Sequence, residues 1–148
     1  MIFNGIDNQI VEIKITDYQF PRETDDDWDK NWLSIYLKVK SNFGNWQTID
    51  PSLTTWEVRE LINWFDTLSR NLTPNYLVLN FTEPNLSFKI LDNSKQSLRM
   101  FRINFNLELR PQSATNDKEY FVDCLADNQE LKRIADELRM ELDKYPEK

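Results

Sequence analysis

Residues 98–109 read LRMFRINFNLEL, a stretch in which apolar and polar side chains alternate. Phe101, Ile103 and Phe105 occupy every second position, and Arg102 and Asn104 stand between them. Because successive side chains of a β-strand point to opposite faces, this alternation predicts a strand with one buried face and one face in water. Such half-buried strands are typical of an antiparallel sheet, whereas parallel strands are usually apolar on both faces.

The same period of two recurs on both sides of this stretch. In residues 32–40, WLSIYLKVK, an apolar residue again stands at every second position. Other segments of this kind predict further strands at residues 9–20, 46–49, 76–81, 86–91 and 120–125. Residues 42–45, which include Gly44, have the composition of a hairpin turn. The chain is therefore predicted to contain about seven strands.

Two segments change the period to about 3.6 residues and predict amphipathic helices. In residues 53–72, LTTWEVRELINWFDTLSRNL, Thr54 and Glu57 have the spacing of a capping box. In residues 127–145, DNQELKRIADELRMELDKY, Asp127 and Glu130 form a similar pair. These elements predict an α+β fold, a mostly antiparallel sheet with both helices on its apolar face. The absence of a linker or repeat predicts a single domain over residues 1–148.

The composition narrows the classes of function. A net charge of −7 disfavours direct binding of nucleic acid or of an anionic membrane. The chain has no histidine, which excludes Ser-His-Asp and Cys-His catalysis and the commonest zinc ligands. With only two glycines, no Gly-rich phosphate loop is expected. No apolar stretch is long enough to span a membrane, so a cytoplasmic location is expected, and Cys124 is expected to be a buried structural thiol.

Residues 24–33, TDDDWDKNWL, combine four aspartates with two tryptophans. The spacing of an EF-hand calcium loop is not met, because no glycine and no closing glutamate follow, and we predict neither a metal site nor a cofactor. A weak cation site at Asp25–Asp29 and a plain solvated loop both stay open. Tryptophans beside acids also suit a protein interface, where the rings anchor the partner and the charges attract a basic surface.

We therefore expect a partner-binding surface formed by this stretch and by the polar face of the predicted sheet. Its candidate residues are Asp25, Asp26, Asp27, Trp28, Asp29, Trp32, Tyr36, Asn104 and Asn106. No catalytic residue is predicted. Two tryptophans of the first long helix, Trp56 and Trp64, are expected to serve packing.

Two other functions remain open at this point. A small ligand-binding or hydrolytic domain needs two converging carboxylates, which Asp26, Asp27 and Asp29, or Glu83 with Glu108, could supply at a cleft. An adaptor or an oligomer subunit could use the same surface to bind a second chain.

A set of motifs along nearly the whole chain resembles one family. The motifs are YQFP (18–21), DDWDKNWL (26–33), DPSLTTWEVRELINWF (50–65), FTEPNLSF (81–88) and ELRPQSAT (108–115), followed by a charged C-terminal helix. In this order they resemble the bacterial WapI-family immunity proteins. The resemblance implies a non-enzymatic cytoplasmic antidote that binds and blocks the toxin domain of a contact-dependent polymorphic toxin.

For the family's namesake, that toxin is a nuclease acting on tRNA. The partner expected from the resemblance is therefore a cognate protein toxin with a basic surface. A net charge of −7 favours rapid association with such a partner.

Overall fold

A computed structural model describes residues 1–22, 24–92 and 97–148. Over this part of the chain, eight strands form two antiparallel four-stranded sheets. The first sheet runs in the order β1 (Ile2–Asn4), β2 (Ile10–Tyr18), β3 (Trp32–Ser41), β4 (Gly44–Thr54). The second runs in the order β5 (Val78–Asn80), β6 (Leu86–Ile90), β7 (Leu98–Phe105), β8 (Tyr120–Asp127). Three α-helices complete the fold, namely α1 (Asp27–Asn31), α2 (Thr55–Ser69) and α3 (Asn128–Asp143).

The α+β class and the antiparallel pairing are confirmed, but the prediction of one sheet of about seven strands is wrong. Each sheet is a meander of strands that are consecutive in sequence, and α2 separates the two meanders. Strands that are consecutive in sequence usually lie next to each other, so α2, which stands between β4 and β5, divides the strands into two groups. Among the described residues, the one β-bridge between the two groups is an isolated antiparallel bridge between Gly5, after β1, and Cys124 on β8.

Both long helices begin where their caps predict. At the start of α2, the Thr54 hydroxyl accepts a hydrogen bond from Glu57 N (3.3 Å) and the Glu57 carboxylate accepts one from Thr54 N (2.9 Å). At the start of α3, the Asp127 carboxylate accepts from Glu130 N (2.7 Å), whereas the Glu130 side chain pairs with Arg133 instead of closing the box. Among the described residues, no helix is both long and apolar enough to cross a membrane.

An aromatic cluster lies at the centre of the core and joins both sheets to α2. Phe3 of β1 packs against Phe65 of α2 and Phe88 of β6, with ring centroids 5.8 Å apart in both pairs. Phe65 also contacts Phe101 of β7 at 5.1 Å. The second long helix, α3, packs on α2 and touches β8 and β2. One hydrophobic core therefore runs between the two sheets and the helices.

Several strand boundaries differ from the predictions, and two short elements were not predicted. The strand predicted over residues 98–109 ends at Phe105, because Leu107 has a positive φ of 50° and residues Leu107–Leu109 form a 3-10 turn. The strand predicted over 46–49 is longer, and β4 includes Pro51, which an edge strand tolerates at a change of register. The very short elements β1 and α1 were not predicted, since three to five residues are too few to show a period.

Candidate partner-binding surface

The acidic stretch folds into the short helix α1, and one aspartate of the stretch builds it. Asp26 is the N-cap residue, and its Oδ1 accepts hydrogen bonds from Trp28 N (2.7 Å) and Asp29 N (3.2 Å). Asp25 and Asp27 are exposed, and Asp27 receives Lys30 Nζ at 3.0 Å. Asp26 thus has a structural role, and the carboxylates of Asp25 and Asp27 remain at the surface.

Trp28 is half exposed and rests on a second tryptophan. Its side chain is 52% exposed, and its ring stands edge-on to Trp56 of α2 with centroids 4.9 Å apart. The sequence predicts packing roles for Trp56 and Trp64, and Trp64 is buried. Trp56 is only partly buried, and its position off the apolar stripe of α2, which begins at Val58, could have indicated this exposure. We call Asp25, Asp27, Trp28, Asp29 and Trp56 the acidic-aromatic surface.

A buried asparagine fastens α1 to the rest of the molecule. Asn31 is 2% exposed, and its Oδ1 accepts hydrogen bonds from Thr55 Oγ1 and Lys148 N, both at 3.0 Å. Its Nδ2 donates to Asp27 O (2.9 Å) and Lys148 O (3.3 Å). The salt bridge from Arg59 to Glu147 at 2.7 Å holds the same C-terminal residues. The short helix is therefore tied to α2 and to the end of the chain.

Two other candidate residues, Trp32 and Tyr36, lie on β3. Trp32 is the C-cap of α1 and the first residue of β3, and it is half buried. Tyr36 lies on the outer face of the first sheet, opposite Lys14 on β2 and Ile49 on β4. Lys14 Nζ is 5.9 Å from the centre of the Tyr36 ring. Tyr36 thus has a lysine beside it, in place of the aspartates with which the sequence grouped it.

The last two candidates, Asn104 and Asn106, belong to the second sheet and are not brought together with the first group. Asn104 is half buried on β7, between Ser87 of β6 and Phe121 of β8. Asn106 follows β7, is exposed, and its backbone N–H donates to Asn85 O at 2.9 Å. The single polar sheet face expected from the sequence is therefore two faces on two sheets.

Next to Asn104, an ion pair crosses from β7 to β8. Arg102 binds Asp123 through Nε (2.7 Å) and Nη2 (3.0 Å) and lies 3.7 Å from the centre of the Phe121 ring. Hydrogen bonding to Asp123 raises the pKa of the Arg102 guanidinium, which therefore stays charged. The Arg102 side chain is therefore held in place by contacts within the second sheet.

The two glutamates considered for hydrolysis, Glu83 and Glu108, lie near a third carboxylate, that of Asp50. Glu83 and Glu108 both lie within electrostatic range of Asp50, which accepts hydrogen bonds from Asn85 Nδ2 (2.8 Å) and Ser52 Oγ (3.4 Å). Burial, and then the charge of Glu108, raise the pKa of the Asp50 carboxyl above its usual range. The bond from Asn85 to Asp50 ties the segment before β6 to β4.

The surroundings of Cys124 are not those of a catalytic nucleophile. Cys124 is buried as predicted, and burial raises the pKa of its thiol to about 12, which leaves almost no nucleophilic thiolate at neutral pH. In the ranges 1–22, 24–92 and 97–148, no group of three or more Cys, Asp and Glu side chains is placed to hold a metal ion.

Comparison with known proteins identifies the family. The family model described as "Immunity protein WapI-like family" matches residues 1–146, which is nearly the whole chain, and confirms the resemblance seen in the motifs. Neither the comparison with curated proteins nor the comparison with solved structures found a match. The motifs and the extent of the family match lead to one conclusion: the chain belongs to the WapI-like immunity protein family.

Proposed function

We propose that this protein is a cytoplasmic antidote that binds the domain of a cognate bacterial toxin and blocks it without catalysing a reaction. Membership of an immunity protein family, matched over residues 1–146, supports the class of function. The observation that carries the mode of binding is Trp28, which is 52% exposed, is supported by Trp56 and stands beside the carboxylates of Asp25 and Asp27.

The acidic-aromatic surface has the physical properties of a binding site for a basic protein. Trp28 supplies a large apolar anchor, and its contact with Trp56 restricts its rotamers before the partner arrives. Less conformational entropy is then lost on binding. The exposed carboxylates of Asp25 and Asp27 attract a positive surface, and the net charge of −7 extends that attraction over the molecule.

The chemistry of this surface favours a nuclease as the partner. A nuclease domain carries lysines and arginines that contact the phosphates of its substrate. Carboxylates placed over these side chains compete with the nucleic acid for the same charges, so binding by the acidic-aromatic surface would block the substrate site. We also propose a cytoplasmic location for the antidote, because a nuclease toxin would meet cellular RNA there.

The first experiment tests the partner. The toxin domain encoded beside this gene is co-expressed with the protein, and growth of the cells and co-purification of the two chains are measured. We expect rescued growth and a stable complex. A toxin that kills the cells despite the antidote and does not co-purify with it would refute the proposed function.

The second experiment tests the surface. Binding of the purified toxin domain is measured for the wild type, for D25K/D27K and for E119K/D143K, which changes the net charge equally at exposed residues elsewhere. We expect D25K/D27K to weaken binding at least about 10-fold, mainly through slower association that is less sensitive to salt. Asp26 is left intact because reversing its charge would remove the cap of α1. Equal effects of both variants would reject this interface.

Light scattering and an assay of glycoside hydrolysis separate the proposal from the two alternatives left open by the sequence. A monomer that forms a stoichiometric complex with the toxin domain supports an antidote. A stable homo-oligomer that binds no toxin would favour the oligomer subunit. Activity against glycosides that is lost in E83Q or E108Q would favour the hydrolytic domain.

A further inference from the structure

The outer face of the first sheet carries a basic surface on an acidic molecule. Lys38 and Lys40 of β3 project from this face, and Lys14 of β2 lies on it as well. Two acidic residues share this face: Glu12 pairs with Lys14 at 2.9 Å and stands opposite Lys38 in the register, and Asp17 stands opposite Ser34. The three lysines outnumber these two carboxylates, although the whole chain has a net charge of −7.

Apolar side chains lie among these lysines. Ile49 of β4 is 61% exposed, and it stands opposite Tyr36 of β3, whose hydroxyl donates to Gln47 at 3.3 Å. An exposed isoleucine beside a half-buried tyrosine resembles the anchor residues of protein interfaces, with charged groups around them. We call Lys14, Lys38, Lys40, Tyr36 and Ile49 the basic sheet face.

The basic sheet face follows directly from the acidic-aromatic surface along the chain. Helix α1 ends at Trp32, which is also the first residue of β3. Lys38 is six residues further along β3, or about 20 Å at ~3.3 Å per residue. A protein interface of standard size covers about 800 Å² on each partner, so its width is comparable with this distance.

We infer that the basic sheet face docks a carboxylate-bearing surface of the same toxin domain, next to the basic region that the acidic-aromatic surface binds. This inference rests on the proposed function. Complementary charge argues for the occupant, because Lys38 and Lys40 would repel the basic surface expected opposite Asp25 and Asp27. Patches of opposite sign also fix the orientation of the partner and reject other basic proteins that a purely acidic interface would attract.

The first test is zero-length crosslinking of the complex with a carbodiimide, which joins lysine amines to carboxylates in direct contact. Mass spectrometry of the crosslinked peptides should show Lys38 or Lys40 joined to aspartates or glutamates of the toxin domain. Lys89 and Lys118, which are exposed and lie outside the basic sheet face, serve as internal controls. Crosslinks at the control lysines alone would overturn the inference.

The second test compares K38E/K40E with the matched variant K89E/K118E in binding of the toxin domain. We expect K38E/K40E to lose at least about 10-fold in affinity relative to K89E/K118E, and thermal unfolding should show that both variants are folded at the temperature of the assay. If the wild type binds the toxin and the two variants bind equally well, the inference fails and the proposed function stands. If the wild type binds no toxin, the proposed function itself fails.

Nucleic acid is the other class of acidic partner, and a third measurement addresses it. Fluorescence anisotropy with labelled tRNA is recorded for the wild type and for K38E/K40E. We expect no binding by either protein at physiological salt. Tight binding by the wild type that K38E/K40E abolishes would assign the basic sheet face to nucleic acid and overturn the inference.

Discussion

Single polar side chains decide whether the acidic stretch is a loose loop or an ordered surface. The exposed Asp26 caps the N-terminus of α1, and the buried Asn31 connects the helix to its surroundings through hydrogen bonds of both its amide oxygen and its amide nitrogen. Neither role follows from charge alone, since Asp26 looks like its neighbours in the sequence. The orientation of Trp28 depends on both residues because they hold the helix on which it stands.

Replacing Asn31 with alanine should destabilise the protein and weaken toxin binding. The N31A variant leaves Thr55 Oγ1, Lys148 N and the backbone oxygen of Asp27 without their partner, and the expected cost is about 1–3 kcal/mol in the free energy of unfolding. Urea unfolding measures the cost, and hydrogen exchange of residues 26–31 shows whether α1 loosens. The exposed N63A on α2 is the control and should change stability by less than about 0.5 kcal/mol.

Asp50 should make the stability depend on pH. Burial raises the pKa of Asp50 in the folded state above the ordinary value of 3.8. The folded protein then binds this proton more tightly than the unfolded chain, so the contribution of Asp50 is most favourable below pH 3.8 and is lost as the pH rises through the folded pKa. The D50N variant removes that titration, and its amide could donate to Asn85 Oδ1, which is buried and has no hydrogen-bond partner among the described residues.

We therefore expect D50N to match the wild type near pH 3 and to be more stable at pH 7. The gain should be about 1 kcal/mol, the usual contribution of one hydrogen bond. Thermal unfolding of both proteins over this pH range measures the difference. A D50N variant that is less stable than the wild type at pH 7 would show that the carboxylate interactions with Ser52 and Asn85 outweigh its burial.

At the scale of elements, the capping box of α2 also connects this helix to the second sheet. Glu57 is 5% exposed, and besides accepting from Thr54 N it accepts from Thr82 N at 2.6 Å. Thr82 lies between β5 and β6, so one carboxylate joins the start of α2 to the second sheet. The spacing in the sequence predicted the bond within the helix, whereas the bond to Thr82 spans residues 25 apart.

Three substitutions at this box should form an ordered series. The T54A variant loses one cap and should cost about 1 kcal/mol. The E57Q variant keeps one acceptor for two N–H donors and should cost more, while E57A leaves both donors of Thr54 and Thr82 unpaired and should cost most, about 2–4 kcal/mol. Chemical unfolding measures the series. Equal costs for T54A and E57A would show that the bond to Thr82 contributes nothing.

At the scale of the whole molecule, the two sheets meet at a glycine. Gly5 forms the bridge to Cys124, and a Cβ added at Gly5 would stand 2.6 Å from Val122 Cγ1 and 2.9 Å from Gln9 Cβ. No methyl group fits at such distances without a shift of its neighbours. The absence of a side chain at this position therefore allows β1 to approach β8.

The G5A variant should destabilise the protein by about 1–3 kcal/mol, the usual cost of overpacking. Because one core joins both sheets, we expect a single unfolding transition with a lower midpoint. A double-mutant cycle tests the cause, since V122A removes the methyl group that the new Cβ would meet and should reduce the cost of G5A. Strictly additive costs would place the strain elsewhere.

Much of the fold was predictable because it depends on local periods. The alternation around Ile35 and Ile103 located β3 and β7, and the box at Thr54 located the start of α2. The short helix at Asp27 was not predicted, because one turn held by a cap leaves no period to detect. For the site, the sequence located the exposed Trp28 and its acids, and which of the nine candidates bind a partner stays a prediction.

The sequence by itself determined the longer strands and the two long helices, the burial of Cys124 and the family, since each follows from side-chain spacing or from motifs along the chain. Only the tertiary structure decided that the strands form two sheets, that Trp56 supports Trp28, and that Tyr36 lies beside a lysine. The physical reason is the same in each case. These features depend on contacts between residues far apart in the chain, and alternation shows which face a side chain takes but not which strand lies next to it.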